Sequence, residues 1–250
     1  MPAVRRPARS RRPRVSSAEL IELLHHGEMT VKGRMPWSSN ATFLTEVCSH
    51  DQLTLAVYKP ARGERQLWDF PAGLGPREVA AYELSEALGW GIVPETVLRD
   101  EGPMGEGSLQ RFVPADFEHH YFTLYEDADE RWHGELRRVC VFDLLANQTD
   151  RKSGHCLLGE DGRIYAIDNG LSFHAEFKLR TVIWEFGGED IPSPLLDDVA
   201  RFVEGGVPEP LARLLDPFER DALLARGRAL LNERRFPIDG SGRRYPWPLV

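Results

Sequence analysis

The sequence predicts an α+β chain built as two lobes, a small and mostly antiparallel sheet followed by a mainly helical half. Three observations carry this expectation. At 250 residues the chain is long enough for one large domain or two closely packed lobes. Up to about Val113 the apolar patterning reads helix, three strands, helix, two strands. Beyond that point apolar residues recur mainly at helical spacing. The expected divisions are a basic leader over 1–15, a first lobe over 16–113 and a second over 114–250.

The elements follow in order. Ser16 or Ser17 caps a short helix, SSAELIELLHHG, that ends at Gly27. A strand is expected over 28–32, then the loop GRMPWSSNAT over 33–42, then strands over 41–48 and 53–58 joined by SHDQ. Pro60 stops the third strand because proline cannot donate to a ladder. A charged loop with Trp68 and Phe70 leads to PREVAAYELSEALG, with proline at the first helical position and Gly89 at the end. Val79, Ala80, Tyr82, Glu83, Leu84 and Leu88 form its one largely apolar face. WGIVPETVLRD and GSLQRFVP read as two more strands, and 114–133 as an irregular lobe junction with an insertion. GELRRVCVFDLLANQ is helical, and LLG and RIYAI are short strands turned at EDG, where Gly162 suits a tight turn. Helical periodicity resumes over 192–206 and 208–232, and the RRYPWPLV tail either packs its aromatics or is loose.

Net charge is -8, unevenly placed. Arg5, Arg6, Arg9, Arg11, Arg12 and Arg14 make the first fifteen residues strongly basic and leave the remainder at -14, with 25 basic against 39 acidic residues. So acidic a body repels a phosphate backbone, which argues against nucleic-acid binding outside a local basic patch. The leader either touches membrane or nucleic acid, or is expected to be a disordered tail or an overlong start to the chain. Cys48, Cys140 and Cys156 follow no metal or disulfide spacing and read as small core residues in a reducing compartment. No apolar run approaches the roughly 20 residues needed to span a bilayer. The arginine-rich leader lacks the apolar run of a secretory signal, so a cytoplasmic location is expected.

The densest chemistry lies in NQTDRKSGHCLLGEDGRIYAIDNG, 147–170. Asp150 falls in a loop between helix and strand, and Asp168 where a strand exits into a turn. The strands between them can return the chain and bring both carboxylates to one edge of a cleft. Facing carboxylates repel unless a cation, a proton or separate roles offset the repulsion, and magnesium with a polyphosphate is one such cation. Equally, Asp150 can cap the next turn and DNG can be no more than a left-handed turn. Lys59 ends LTLAVYKP, where an ammonium can meet a ligand phosphate or simply block edge pairing. Glu78, at the expected helix start, either pairs with Lys59 or sits there because a helix N-terminus favours glutamate. The 33–42 loop either offers N–H groups and hydroxyls to an anion or is a plain hairpin loop; lacking GxxxxGK[ST], it is not a Walker loop. His155 reads as a ligand, a donor or a packed histidine. His25–His26 and His119–His120 have no partners at zinc-site spacing.

AVYKP followed by REVAAYELSEALGWGIVPET resembles the corresponding part of type II phosphatidylinositol 4-kinases. LLANQTDRKSGHCLL followed by IYAIDNGLSF resembles their catalytic and metal-binding segments, and SSNATF resembles the phosphate-loop region of HipA-type toxin kinases. From about Glu19 to about Leu230 the chain is similar to a small actinobacterial family related to phosphatidylinositol 3- and 4-kinases. The resemblance implies a bilobal protein-kinase-like fold of the atypical branch and an ATP- and Mg²⁺-dependent phosphotransferase. By position it makes Lys59 the ATP-phosphate lysine and Glu78 its ion-pair partner. It puts Gly33, Ser38, Ser39 and Asn40 in the phosphate-covering loop and Gln110, Arg111, Phe112 and Val113 in an adenine-binding hinge. Asp150 would align or deprotonate an acceptor hydroxyl, Asp168 would bind the metal, and Val57, Val97, Leu109 and Leu157 would wall the adenine.

One departure stands out. Five positions after Asp150 those kinases have an asparagine that binds a second metal, where this chain has His155. Magnesium prefers oxygen, so His155 contacts metal through a free nitrogen, donates to phosphate, or leaves a one-metal site. The implied acceptor is a protein, a soluble polyol or a phosphoinositide. The acidic body offers no membrane-facing surface, and Trp68 and Phe70 read as a packed aromatic pair before a bilayer contact. A nucleotide-binding regulatory pseudokinase and an AMP-transferring enzyme are the alternatives on the same fold.

Overall fold

Five antiparallel strands in the order β1-β2-β3-β5-β4 stand against a helical half that carries its own two-stranded hairpin. The computed structural model describes residues 16–36, 40–65 and 67–249. The arginine-rich leader and Ser38 and Ser39 lie outside the described residues. Helix α1 (Ser17–His26) opens with the capping box expected of SSAE. The Glu19 N–H donates to Ser16 Oγ at 3.2 Å and the Ser16 N–H to the Glu19 carboxylate at 2.8 Å, a cap worth about 1 kcal/mol. Leu20, Leu23 and Leu24 bury one face of α1 against Val47, Ala56, Tyr58, Val97 and Leu109 of the sheet.

Strands β1 (Glu28–Arg34), β2 (Phe43–Ser49) and β3 (Gln52–Pro60) form a meander. The register of β1 against β2 slips between Val31 and Gly33, and Gly33 pairs with Leu44. Gly33 is therefore strand, not loop, because pairing continues past the bulge. β5 (Gly107–Arg111) pairs with both β3 and β4 (Thr96–Arg99), which makes β2, β3 and β5 the interior strands. Helix α2 (Leu74–Ala87) starts two residues before Pro76. Proline is tolerated there because first-turn N–H groups have no helical partner. Glu64, remote in sequence, caps that end by accepting from the N–H groups of Gly73 at 3.3 Å and Gly75 at 3.1 Å. Glu78 consequently lies inside the helix and not at its start.

In the stretch where the sequence predicts irregular chain, α3 (Tyr121–Tyr125) forms, too short for periodicity to reveal. Helix α4 (His133–Ala146) is buried on nearly every side. Hairpin β6 (Cys156–Leu158) and β7 (Ile164–Ala166) turns at Gly162, whose φ is 78°. Three more helices follow: α5 (Ser193–Gly205), α6 (Glu209–Ala212) and α7 (Pro217–Glu233). The helical run expected over 208–232 is thus broken. Asp216 caps a new helix through the Glu219 N–H at 2.9 Å, and Pro217 takes its first position. Helices α5 and α7 approach so closely that a Cβ at Gly227 would meet Val203 Cγ2 at 2.6 Å.

One continuous core joins α2, Trp90, Ile92 and Val93 to α4, α5 and α7. Cys140 and Cys156 belong to it, and burial raises both thiol pKa values, which keeps them protonated. The C-terminal stretch is held mainly through its backbone, the Thr181 N–H donating to Arg244 O at 3.0 Å and the Ser153 N–H to Leu249 O at 2.8 Å. Tyr245 approaches Trp184 with ring centroids 6.5 Å apart, while Trp247 stays 87% exposed. Among the described residues no helix is long and apolar enough to cross a membrane.

Candidate active site

Alternation along β3 puts Lys59 and Val57 on the face opposite Ala56 and Tyr58. On that face Lys59 pairs with Glu78 of α2 and, at 2.8 Å, with Asp168 just past β7. The Glu78 side chain is only 5% exposed, and its second oxygen accepts from the Asn169 N–H at 3.0 Å. Burial works against the Lys59 ammonium, but the Asp168 and Glu78 carboxylates outweigh it and hold the lysine pKa above its ordinary value. The reciprocal effect depresses Asp168: Lys59 lowers its pKa against the opposing effect of burial, and His155 adds to the lowering. The Asp168 side chain is 52% exposed, so this carboxylate opens to solvent.

The opposite wall comes from the loop after α4. Asn147 ends α4 in the left-handed conformation, with φ 53°. Its amide donates to His174 O and Glu176 O at 2.8 and 2.7 Å and accepts from the Lys178 N–H at 2.9 Å. Gln148 ties the two carboxylate-bearing loops together: Nε2 donates to Asp168 O at 3.2 Å and Oε1 accepts from the Asp150 N–H at 3.1 Å. The two aspartates expected to share a cleft edge are therefore joined through one side chain. Burial raises the Asp150 pKa, the Lys152 ammonium 3.3 Å away lowers it, and the Asp168 charge raises it again.

Arg151, between them, points the other way. It is fully buried and binds Asp143 through Nε at 3.0 and 3.1 Å and Nη2 at 2.8 Å, then Ile167 O at 2.6 Å and Asn169 Oδ1 at 2.7 Å. The triplet Asp150-Arg151-Lys152 thus sends its outer members to the cleft and its centre to the core.

His155 lies beneath Asp168. Its Nδ1 accepts from the Lys152 N–H at 3.3 Å, and Nε2 approaches Asp168 Oδ2 at 3.4 Å. Burial drives its pKa down to about 4 against the pull of Asp168, with Arg151, Lys152 and Lys59 adding to the fall. The left-handed residue of the DNG turn is Asp168 itself, with φ 58°. Gly170 answers a different need, since a Cβ there would press on Leu74 Cβ at 3.2 Å and Glu78 Oε1 at 3.3 Å.

Other expectations divide. Asn40 Oδ1 accepts from the Arg65 N–H at 3.1 Å, which seats its loop on the chain after β3. Gln110 and Arg111 belong to β5, with the Gln110 amide buried on Thr96 Oγ1 at 2.8 Å. The Arg111 and Phe112 N–H groups are taken by Glu95 O at 2.8 Å and Leu55 O at 2.9 Å. Among the described residues the Val113 N–H has no hydrogen-bond partner. Val57 is half-buried on the Lys59 face of β3, and Leu157 packs with Val113 and Tyr165. Val97 and Leu109 do not wall the site: they point to α1 and its leucines, because strand alternation puts them on the other face. Phe70 is packed under the Arg77 guanidinium at 5.0 Å, whereas Trp68 is 97% exposed, so the two are not a packed pair.

Sequence patterning does not single out Lys152, Arg77, Asp143 or Gln148. Arg77 donates to Ser172 O at 2.6 Å and pairs with Glu219 of α7, tying α2 to the helical half. A signal existed for Asp143, a lone carboxylate on an otherwise apolar face of α4. A cleft of about 500 Å³ lies elsewhere, between α1, α2, β4 and α6, and contains none of the clustered residues. For a divalent cation the donor set is one half-exposed carboxylate, and among the described residues no group of three or more His, Cys, Asp or Glu could hold a metal. That set fits a hard cation whose shell is completed by phosphate oxygens and water.

No protein-family model matches the chain. An alignment of 261 positions, covering 90% of this chain and 94% of the relative, gives 40% identity to protein Rv2133c of Mycobacterium tuberculosis (strain ATCC 25618 / H37Rv). Among solved structures the chain is similar to the Golgi casein kinase with Mn/ADP bound, with TM-score 0.60 and 14% identity over 94% of this chain and 80% of that one. It is similar to hydra Fam20 with sugar, at TM-score 0.55 and 13% identity over 89% and 92%. The Helicobacter pylori proinflammatory kinase CtkA gives TM-score 0.51 and 10% identity over 85% and 94%. At these identities the likeness establishes the fold: bilobal and kinase-like, with a β-sheet lobe and a helix-rich lobe.

Proposed function

We propose that this chain, which belongs to the family of protein Rv2133c of Mycobacterium tuberculosis, is an ATP- and Mg²⁺-dependent phosphotransferase of the atypical-kinase type acting on a hydroxyl acceptor. The observation that carries the reading is Lys59 held between Glu78 and Asp168 on one wall of a cleft whose other wall presents Asp150. Lys59 binds the α- and β-phosphates, with Glu78 fixing the ammonium. Asp168 holds the divalent cation, which when bound neutralises charge on the transferring phosphoryl group. The Val113 N–H reads the adenine edge, with Val57 and Leu157 against the ring. Asp150 aligns the acceptor hydroxyl and takes its proton, and Lys152 keeps that carboxylate ionised. The acceptor classes are a protein, a soluble polyol and a phosphoinositide. The likeness of LLANQTDRKSGHCLL and IYAIDNGLSF to phosphatidylinositol kinases supports the last, and the acidic body supports the other two.

The test uses ATP labelled separately at the α- and γ-phosphates, incubated with the purified chain and cell extract, inositols or lipid. Transfer of the γ label alone is expected. Transfer of the α label identifies AMP transfer instead, and binding of ATP with no transfer identifies a nucleotide-binding module. That second reading draws on one observation, that both Asp168 oxygens already face donors, Lys59 at 2.8 Å and His155 at 3.4 Å.

A pH dependence follows from Asp150. Its pKa is raised by burial, so the rate of transfer falls as pH drops through that raised value and the carboxylate takes up a proton. Lys152→Gln removes the neighbouring cation that lowers this pKa and moves the acid limb of the kcat profile to higher pH. An acid limb in the same place for both proteins would count against Asp150 as the proton acceptor.

A further inference from the structure

The imidazole of His155 lies against Asp168, and the contacts of its two nitrogens decide what it can do there. The Lys152 N–H points at Nδ1 from 3.3 Å, so that nitrogen uses its lone pair as an acceptor. The ring of a neutral histidine then carries its proton on Nε2, 3.4 Å from Asp168 Oδ2. Neither nitrogen retains a lone pair for a cation. The side chain is only 15% exposed, and its own backbone fixes it further, the His155 N–H donating to Lys152 O at 3.1 Å and the carbonyl accepting from the Ile167 N–H at 3.0 Å.

The neighbouring amide oxygens already accept hydrogen bonds. Asn169 Oδ1 accepts from Arg151 at 2.7 Å, and Gln148 Oε1 from the Asp150 N–H at 3.1 Å. Lys59 faces Asp168 Oδ1 at 2.8 Å. When Lys59 turns to nucleotide phosphates, Oδ1 is the oxygen released to the cleft while Oδ2 stays with His155.

We infer that His155 is a positioning residue for Asp168, donating Nε2–H to Oδ2 so that only Oδ1 is offered to a cation, and that the site takes a single divalent ion with its nucleotide. The inference rests on the phosphotransferase reading in one respect, that Asp168 serves a metal–nucleotide complex.

The experiment is an electron paramagnetic resonance titration of the full chain with Mn²⁺ and the non-hydrolysable analogue adenylyl imidodiphosphate, followed by electron spin-echo modulation on the complex. One bound Mn²⁺ per chain is expected, without the ¹⁴N modulation of a coordinated imidazole. His155→Ala is expected to bind the ion about 10–100-fold more weakly at unchanged stoichiometry, the size of effect typical of a group that orients a ligand. His155→Gln, which keeps an N–H donor, should recover part of that loss. Two ions in the wild-type chain, or ¹⁴N modulation from His155, overturns the inference while leaving the phosphotransferase reading intact. Failure of the wild-type chain to bind either Mn²⁺ or the analogue overturns that reading, and the inference with it.

Discussion

Asp168→Asn folds and melts like the wild type but turns over ATP about 10²–10³-fold more slowly, the loss typical of removing one electrostatic contact from a transition state. The two halves of this expectation have separate causes. The Asp168 side chain is 52% exposed, and Lys59 keeps its pair with Glu78 when the charge is removed. An ion pair so open to water contributes only about 0–1 kcal/mol to stability. Asparagine also keeps an oxygen for the Nε2–H of His155. What it cannot do is supply the negative charge that would hold a divalent cation. Initial rates of ADP release and a thermal melt on the same preparation separate the two. Turnover within a few-fold of the wild type would remove Asp168 from the chemistry, and a collapse of the melting temperature would make it a structural residue.

Arg151→Met destabilises the chain by about 3–5 kcal/mol, because it strands a buried carboxylate. The Arg151–Asp143 pair has no solvent exposure on either side chain, and Thr181 Oγ1 donates to the same carboxylate at 3.1 Å. Burial already raises the Asp143 pKa against the lowering effect of Arg151, so losing the arginine favours a protonated, poorly bonded acid. For a chain of this size the expected fall in melting temperature is roughly 6–20 °C. Adding Asp143→Asn to Arg151→Met should restore part of the loss, since the uncompensated charge goes with it. A double variant less stable than Arg151→Met alone would show that the carboxylate's other contacts matter more than its pair.

The contrast between these two variants reflects what was legible in the sequence. Lys59, Asp150 and Asp168 could be picked out because each stands near a strand end or beside a turn, where an ionisable group interrupts an apolar pattern, and Glu78 because it fell at the expected start of a helix. The structure clusters them. The residues that hold them there were not legible. Arg151 looked like one more charge in a polar loop, and Gln148 and Asn147 like spacers, because a side chain's direction depends on contacts more distant than its neighbours. The same limit explains Val97 and Leu109, which are apolar and correctly placed on strands, yet face α1. Secondary structure was most readable where capping and periodicity agreed, as over SSAELIELLHHG. It was least readable where a remote residue intervened, as where Glu64 moved the start of α2 or Asp216 divided the last helical run.

Arg77 and Glu78 are consecutive on α2, and between them they hold the sheet and the helical half together. Glu78 grips Lys59 of the sheet and the Asn169 N–H, while Arg77 grips Ser172 O and Glu219 of α7. A rigid helix cannot turn one of these side chains away without withdrawing the other. Separation of the lobes, rotation of α2 and loss of the lysine's partner are therefore one event with one free energy. The consequence is cooperativity: α2 belongs to the core of the helical half and is bound to the sheet through Glu78, which couples the melting of sheet and helices.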